Sequence, residues 1–109
     1  MKLILPYYIF THSYVLSLIF MVVQNKEITI YTWDTCPFCH RALALLNDKG
    51  LRYEQIKVDG DEAARDEMAK KTKGNRRSVP QVFVAGESIG GCDDLYALND
   101  AGKLDELVS

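Results

Sequence analysis

From residue 27 onward, the hydrophobic and polar positions follow two different periods along the chain. Short apolar runs rich in β-branched and aromatic residues predict strands, and longer runs with apolar residues three or four positions apart predict helices. The predicted strands cover residues 27–33, 53–58, 82–84 and 87–89, and the predicted helices cover residues 38–49, 59–73 and 93–101. A glycine follows each predicted helix (Gly50, Gly74 and Gly102), the position where helices commonly end.

The order of these elements is β-α-β-α-β-β-α, which predicts an α/β fold. Two strands joined through a helix form a parallel, right-handed crossover, and the last two strands, joined at Ala85-Gly86, form an antiparallel hairpin. We therefore expect a four-stranded mixed sheet flanked by helices. A tail of mixed polar and apolar residues, including Leu104, Leu107 and Val108, follows the last predicted helix.

The first 24 residues differ from the rest, so we divide the chain into a hydrophobic extension, 1–24, and one domain, 25–109. Residues 3–23 contain no Asp, Glu, Lys or Arg, and a membrane span needs roughly 20 apolar residues. Pro6, His12 and the lack of an A-x-A-like cleavage site argue against an anchor or a signal peptide. We favour a mis-assigned start, with the true one at Met21; the alternatives are a membrane segment and an extra helix.

Composition and charge exclude several classes of function. The formal net charge of −2 lacks the basic excess of nucleic-acid binding proteins. Three cysteines in 109 residues are not the dense, even set of a disulfide-stapled secreted domain. Two of them stand in a C-x-x-C motif, so we expect a reversible disulfide in a reducing compartment, the cytoplasm.

The motif Cys36-Pro37-Phe38-Cys39 lies between a predicted strand and a predicted helix, which is typical of a dithiol redox site. Proline is favoured at the first helical position, so Cys36 becomes the N-cap residue. The free N–H groups and the positive end of the helix dipole then stabilise its thiolate. Cys39 lies one turn along on the same face, within disulfide distance. A metal site is disfavoured. The motif supplies two thiolates, His40 only adjoins Cys39 and Cys92 is a possible third ligand, so the fourth ligand of a structural zinc is missing.

Three motifs in order give the chain a resemblance to a known family: Thr35-Cys36-Pro37-Phe38-Cys39, Ser78-Val79-Pro80 and Gly90-Gly91-Cys92-Asp93-Asp94. Over residues 26–108 the sequence resembles the glutaredoxins, and within them the dithiol class, which implies a thioredoxin-like fold. The chain departs from the family pattern at Trp33, where a lysine is common, and at Phe38, where a tyrosine is common.

The resemblance implies a role for each matched residue. Cys36 would be the nucleophile and Cys39 the resolving thiol. The expected glutathione-binding residues are Phe38, Arg77, Ser78, Val79, Pro80, Gly91, Cys92 and Asp93.

Within that set, a cis Val79–Pro80 bond would leave the Val79 backbone free to pair with the cysteinyl part of glutathione. The Gly91 turn would hold the γ-glutamyl carboxylate, and Asp93 the ammonium. Arg77, or its neighbour Arg76, would hold the glycyl carboxylate. For Cys92 we favour a small apolar filler over a third redox thiol.

The resemblance implies a monomeric glutathione-dependent oxidoreductase that acts on protein disulfides and glutathionylated proteins, with glutathione as co-substrate and no metal. Two alternatives stay open at this point. Because Trp33 replaces the common lysine, a thioredoxin-type reductase is an alternative electron donor. The other alternative is a dimer that binds an iron–sulfur cluster and acts as a carrier or sensor.

Overall fold

The computed structural model describes residues 25–109, and every predicted strand and helix of the domain is present. The strands are β1 (Ile28–Thr32), β2 (Glu54–Lys57), β3 (Gln81–Val84) and β4 (Glu87–Gly90). The helices are α1 (Pro37–Asp48), α2 (Glu62–Lys71), α3 (Cys92–Asp100) and α4 (Leu104–Val108). The last helix lies in the segment that the sequence indicated only as a tail.

The four strands form one mixed sheet in the order β2-β1-β3-β4. The β1–β2 pair is parallel, whereas β1–β3 and β3–β4 are antiparallel. The predicted mixed sheet with flanking helices is therefore confirmed. In this arrangement the ends of β1, β2 and β4 and the start of β3 all lie at one edge of the sheet.

Each face of the sheet carries its own buried cluster. Ile30 and Val82 on one face pack with Leu46 of α1 and Leu95 of α3. On the other face, Tyr31 and Phe83 meet edge to face, 5.5 Å between ring centroids, beside Met68 of α2. Because α1 and α3 share one face, the segments that begin them emerge next to each other at the common sheet edge.

Helix α4 packs against the buried cluster that contains Ile30 and Val82. Leu104 and Val108 lie one turn apart and are buried, and the Lys26 N–H donates to the Val108 carbonyl at 2.7 Å. The apolar residues of the tail are therefore part of the core.

The predictions for residues 1–24, including the alternative start at Met21, lie outside the described residues. Among residues 25–109, no helix is both long enough and apolar enough to cross a membrane.

Candidate active site

Cys36 is the N-cap residue of α1, as the position of Pro37 predicts. Its Sγ accepts a hydrogen bond from the Cys39 N–H at 3.2 Å, which is one of the amide groups that the first turn of a helix leaves unpaired. The same sulfur lies 3.8 Å from the carbonyl oxygen of Val79. Cys36 is half-buried, so its sulfur meets both the helix start and the segment before β3.

The loop between β1 and α1 is fixed by polar contacts to its neighbours. The Trp33 carbonyl accepts from the Cys36 N–H at 3.3 Å. The Asp34 N–H donates to the Asp59 carboxylate at 2.7 Å, and the His40 Nε2 lies 2.7 Å from the Asp34 carbonyl oxygen. These contacts hold the backbone on both sides of Cys36, so the position of its sulfur is set before any substrate binds.

Cys39 lies in a different environment from Cys36. Its side chain is fully buried, and burial, followed by its hydrogen bond with Cys36, raises the pKa of Cys39 to about 12. Cys39 therefore stays a protonated thiol at neutral pH, close to Cys36 but out of contact with solvent.

A cavity of about 140 Å³ opens beside Cys36 at the common edge of the sheet. Its lining residues are Phe38, Arg76, Ser78, Val79, Pro80, Gly91, Cys92, Asp93 and Asp94. The Val79–Pro80 peptide bond is cis, as the resemblance implies. Seven of the eight residues expected to bind glutathione thus line one cavity. A larger concavity of about 580 Å³, at residues 25–28 and 52–54, contains neither motif cysteine.

The exception is Arg77, which does not line this cavity. The Arg77 guanidinium hydrogen-bonds to Glu62 and Asp66 of α2. Arg76 lines the cavity instead, with Nη1 lying 3.4 Å from the Asp94 carboxylate. The backbone of the preceding Asn75 is left-handed, with φ of 54°.

The turn between β4 and α3 presents backbone amides to the same cavity. Gly91 is the N-cap of α3, and its N–H donates to the Asp94 carboxylate at 2.9 Å. The next amides, of Cys92 and Asp93, begin the helix and have no partner within it, an arrangement that binds anions. Cys92 is buried, and this burial raises the pKa of its thiol. It lines the cavity as a small, protonated side chain.

Trp33 has a neighbour that the sequence did not reveal. The guanidinium of Arg65, from α2, lies 4.7 Å from the centroid of the Trp33 ring. The Arg65 Nε–H also donates to the Arg77 carbonyl at 2.8 Å. No local pattern connects these positions, because the contact forms only when α2 packs beside the ends of β1 and β2.

Comparison with known proteins identifies the family of this site. A family model described as glutaredoxin matches residues 28–89. The chain is 56% identical over 84 residues to a probable glutaredoxin of Synechocystis, covering 77% of this chain and 94% of the relative. It is 51% identical over 82 residues to glutaredoxin 3 of Escherichia coli, covering 75% of this chain and 96% of the relative.

The chain belongs to the glutaredoxin family.

Solved glutaredoxins share its architecture. A solution structure of the Brucella melitensis glutaredoxin matches with a TM-score of 0.68 and 42% identity, over 78% of this chain and 90% of that one. The buckwheat glutaredoxin in complex with glutathione matches with a TM-score of 0.69 and 27% identity, over 88% of each chain. Family membership implies thiol oxidoreductase activity for this glutaredoxin.

Proposed function

We propose that this glutaredoxin is a glutathione-dependent oxidoreductase that reduces protein disulfides and protein–glutathione mixed disulfides. The observation that carries the proposal is the position of Cys36 Sγ, at the start of α1 and 3.8 Å from the Val79 carbonyl oxygen, beside an open cavity. The dithiol needs a reducing compartment, and we place the reaction in the cytoplasm, with the protein as a monomer that needs no metal.

Reduction of a glutathionylated protein needs only Cys36. Its thiolate attacks the glutathione sulfur, forms a Cys36–glutathione disulfide and releases the protein thiolate, which takes a proton. A second glutathione thiolate then attacks the sulfur of the bound glutathione, releases the Cys36 thiolate and leaves as glutathione disulfide. The N–H of Cys39 at 3.2 Å from Cys36 Sγ stabilises the thiolate as attacking and as leaving group.

Reduction of a protein disulfide also uses Cys39. Cys36 attacks one substrate sulfur and forms a mixed disulfide, and the other substrate sulfur leaves as a thiol. Cys39 loses its proton, attacks Cys36 Sγ and releases the second substrate thiol, which leaves a Cys36–Cys39 disulfide. Two glutathione molecules restore the dithiol and depart as glutathione disulfide. The burial of Cys39 lets it react with its neighbour while denying access to outside disulfides.

The cavity has partners for two parts of glutathione. The Val79 backbone, whose carbonyl oxygen lies 3.8 Å from Cys36 Sγ, would pair with the cysteinyl residue as an added strand does. The free amides at the start of α3 suit the γ-glutamyl carboxylate, and the exposed Asp93 carboxylate suits its ammonium. The buckwheat relative was solved in complex with glutathione, which supports glutathione as the ligand.

Cysteine replacements test the proposal on two substrates, a glutathione mixed disulfide and a protein disulfide. Cys36→Ser is expected to abolish both activities, because no other thiol takes its position. Cys39→Ser is expected to abolish reduction of the protein disulfide and to keep much of the deglutathionylation. Cys92→Ser, the matched control in the same cavity, is expected to retain both.

The assays are run with two electron donors, glutathione with its reductase and a thioredoxin-type reductase. Full deglutathionylation by Cys36→Ser contradicts the assignment of the nucleophile. Turnover with the thioredoxin-type reductase alone contradicts glutathione dependence.

A further inference from the structure

Gln81, the first residue of β3, is a polar side chain that is fully enclosed in the molecule. Its exposed fraction is 0%, and in the register of β1 and β3 it lies opposite Tyr31. Its Nε2 group donates to the Ser78 carbonyl at 3.0 Å and lies 3.2 Å from the Ser78 Oγ. Both N–H donors of the Gln81 amide are therefore used on the residue that begins the Ser78-Val79-Pro80 segment.

The oxygen of the Gln81 amide, by contrast, has no partner. Among the buried side-chain atoms of residues 25–109, Gln81 Oε1 is the only oxygen or nitrogen without a hydrogen bond. The Ser78 carbonyl can only accept, so Nε2 must face it and the unpaired atom is the oxygen. A buried polar atom without a partner destabilises a fold, whereas an apolar side chain of similar length would leave no such atom. Stability of the fold alone therefore gives no reason for a glutamine at this position.

The Ser78 carbonyl belongs to the same peptide group as the Val79 N–H. A peptide group is planar, and in its trans form the C=O and N–H bonds point in opposite directions. Because the buried Gln81 holds the Ser78 carbonyl from the interior, the Val79 N–H is directed outward, and Val79 lines the cavity. No backbone carbonyl of residues 25–109 accepts this N–H. The contact with Gln81 thus orients a free backbone donor beside the cavity.

We propose that Gln81 is a positioning residue that directs the Val79 N–H at the cysteinyl carbonyl of glutathione. The inference rests on the proposed glutathione dependence and adds to that site a residue that does not touch the ligand. The Val79 carbonyl oxygen lies 3.8 Å from Cys36 Sγ, so the Val79 backbone borders the position of the ligand residue whose sulfur is attacked. The unpaired oxygen of Gln81 is then a loss of stability that accompanies the fixed donor.

The test compares two ligands, one with and one without the cysteinyl carbonyl. The reduced full chain, in excess, reacts in a single turnover with the mixed disulfide of 2-thiopyridine and either glutathione or γ-glutamylcysteamine. The Cys36 thiolate attacks the sulfur of the ligand, and thiopyridine leaves with a change in absorbance that gives the rate. γ-Glutamylcysteamine keeps the thiol and the γ-glutamyl end but lacks the cysteinyl carbonyl and the glycine. Rates across protein concentrations give an apparent Kd and a limiting rate for each disulfide.

Gln81→Met removes the amide and keeps a side chain of similar length. It is expected to raise the apparent Kd of the glutathione disulfide about fivefold, the size of one net hydrogen bond, with the limiting rate nearly unchanged. The γ-glutamylcysteamine disulfide has no carbonyl for the Val79 N–H, so its apparent Kd should stay within about twofold of the wild-type value. Gln55→Met is the matched control, because the Gln55 Nε2 donates at 2.7 Å to Thr32 Oγ1 instead. It is expected to leave both constants unchanged.

An unchanged Kd of the glutathione disulfide in Gln81→Met, or an equal rise for both disulfides, overturns the proposal for Gln81 and leaves glutathione dependence standing. If wild type reacts with neither disulfide faster than Cys36→Ser does, the proposed function itself fails.

Unfolding in urea separates this role from a structural one. Ser78 is exposed and can bond to water when Gln81 is replaced, so the urea midpoint of Gln81→Met should equal or exceed that of wild type. If circular dichroism shows Gln81→Met to be unfolded, Gln81→Leu decides by the same comparison of disulfides. A clearly lower midpoint, or a second variant that is also unfolded, overturns the proposal, because Gln81 would then serve the fold.

Discussion

The two motif cysteines are three residues apart in the chain and have opposite surroundings. Cys36 is half-buried at the start of α1, with the Cys39 N–H directed at its sulfur and the cavity beside it. Cys39 is fully buried, and its raised pKa keeps the thiol protonated. At the scale of single residues, burial and the helix start therefore separate an accessible thiol from an enclosed one.

This separation predicts selective alkylation. With the fully reduced protein near neutral pH, iodoacetamide is expected to modify Cys36 at least about 100-fold faster than Cys39 or Cys92, since the last two are buried and protonated. Peptide mass spectrometry over time measures the three rates. In guanidinium chloride the three rates should converge. Modification of Cys39 in the native protein as fast as Cys36 would contradict the assigned environments.

At the junction of β4 and α3, the structure leaves no space for a side chain on Gly90. Gly90 has φ of 118°, and a Cβ placed there would stand 2.2 Å from the Asp94 carboxylate oxygen. That carboxylate also accepts the Gly91 N–H and pairs with Arg76. Side-chain size at Gly90 is therefore coupled to the geometry of the amides at the start of α3.

Gly90→Ala is accordingly expected to destabilise the fold by about 3 kcal/mol, from backbone strain together with the displaced Asp94 cap, and to weaken glutathione binding. Gly86→Ala is the matched control in the same hairpin. Gly86 also has a positive φ, of 81°, but a Cβ at that position would meet no atom within 4 Å beyond its chain neighbours, so a loss of about 1 kcal/mol is expected. Urea unfolding measures both variants. Equal losses would show that the contact with Asp94 is unimportant.

At the scale of the whole molecule, the sheet and the cysteine site could be predicted from the sequence more completely than the arginines around the cavity. The alternation of strands and helices predicts the mixed sheet, because a right-handed crossover and a tight hairpin leave few other arrangements. Helix α4 was not predicted, since five residues are too few to show a helical period. The contacts that separate Arg76 from Arg77, and the contact of Arg65 with Trp33, join different elements of the fold and so depend on tertiary packing.

Because the thiol of Cys39 is buried, the reduced protein is expected to lose stability as the pH rises into the alkaline range. Burial raises the pKa of Cys39 from its ordinary value of 9.0 to about 12, so above pH 9 the unfolded chain loses this proton while the folded protein keeps it. The contribution of Cys39 to the free energy of unfolding is complete when the pH is below its pKa in the unfolded chain. It is lost as the pH rises toward its pKa in the folded protein, by at most about 1.4 kcal/mol per pH unit.

Urea unfolding of reduced wild type and Cys39→Ala across this range isolates the effect, because the two proteins differ only in this side chain. The difference in free energy of unfolding between the two, wild type minus variant, is expected to fall steadily from about pH 9 to about pH 11. The same comparison with Cys92→Ala should show a fall of the same sign, since burial also raises the pKa of Cys92. A difference that stays constant with pH would mean that Cys39 ionises as readily in the folded protein as in the unfolded chain, and the fold would then not enclose it.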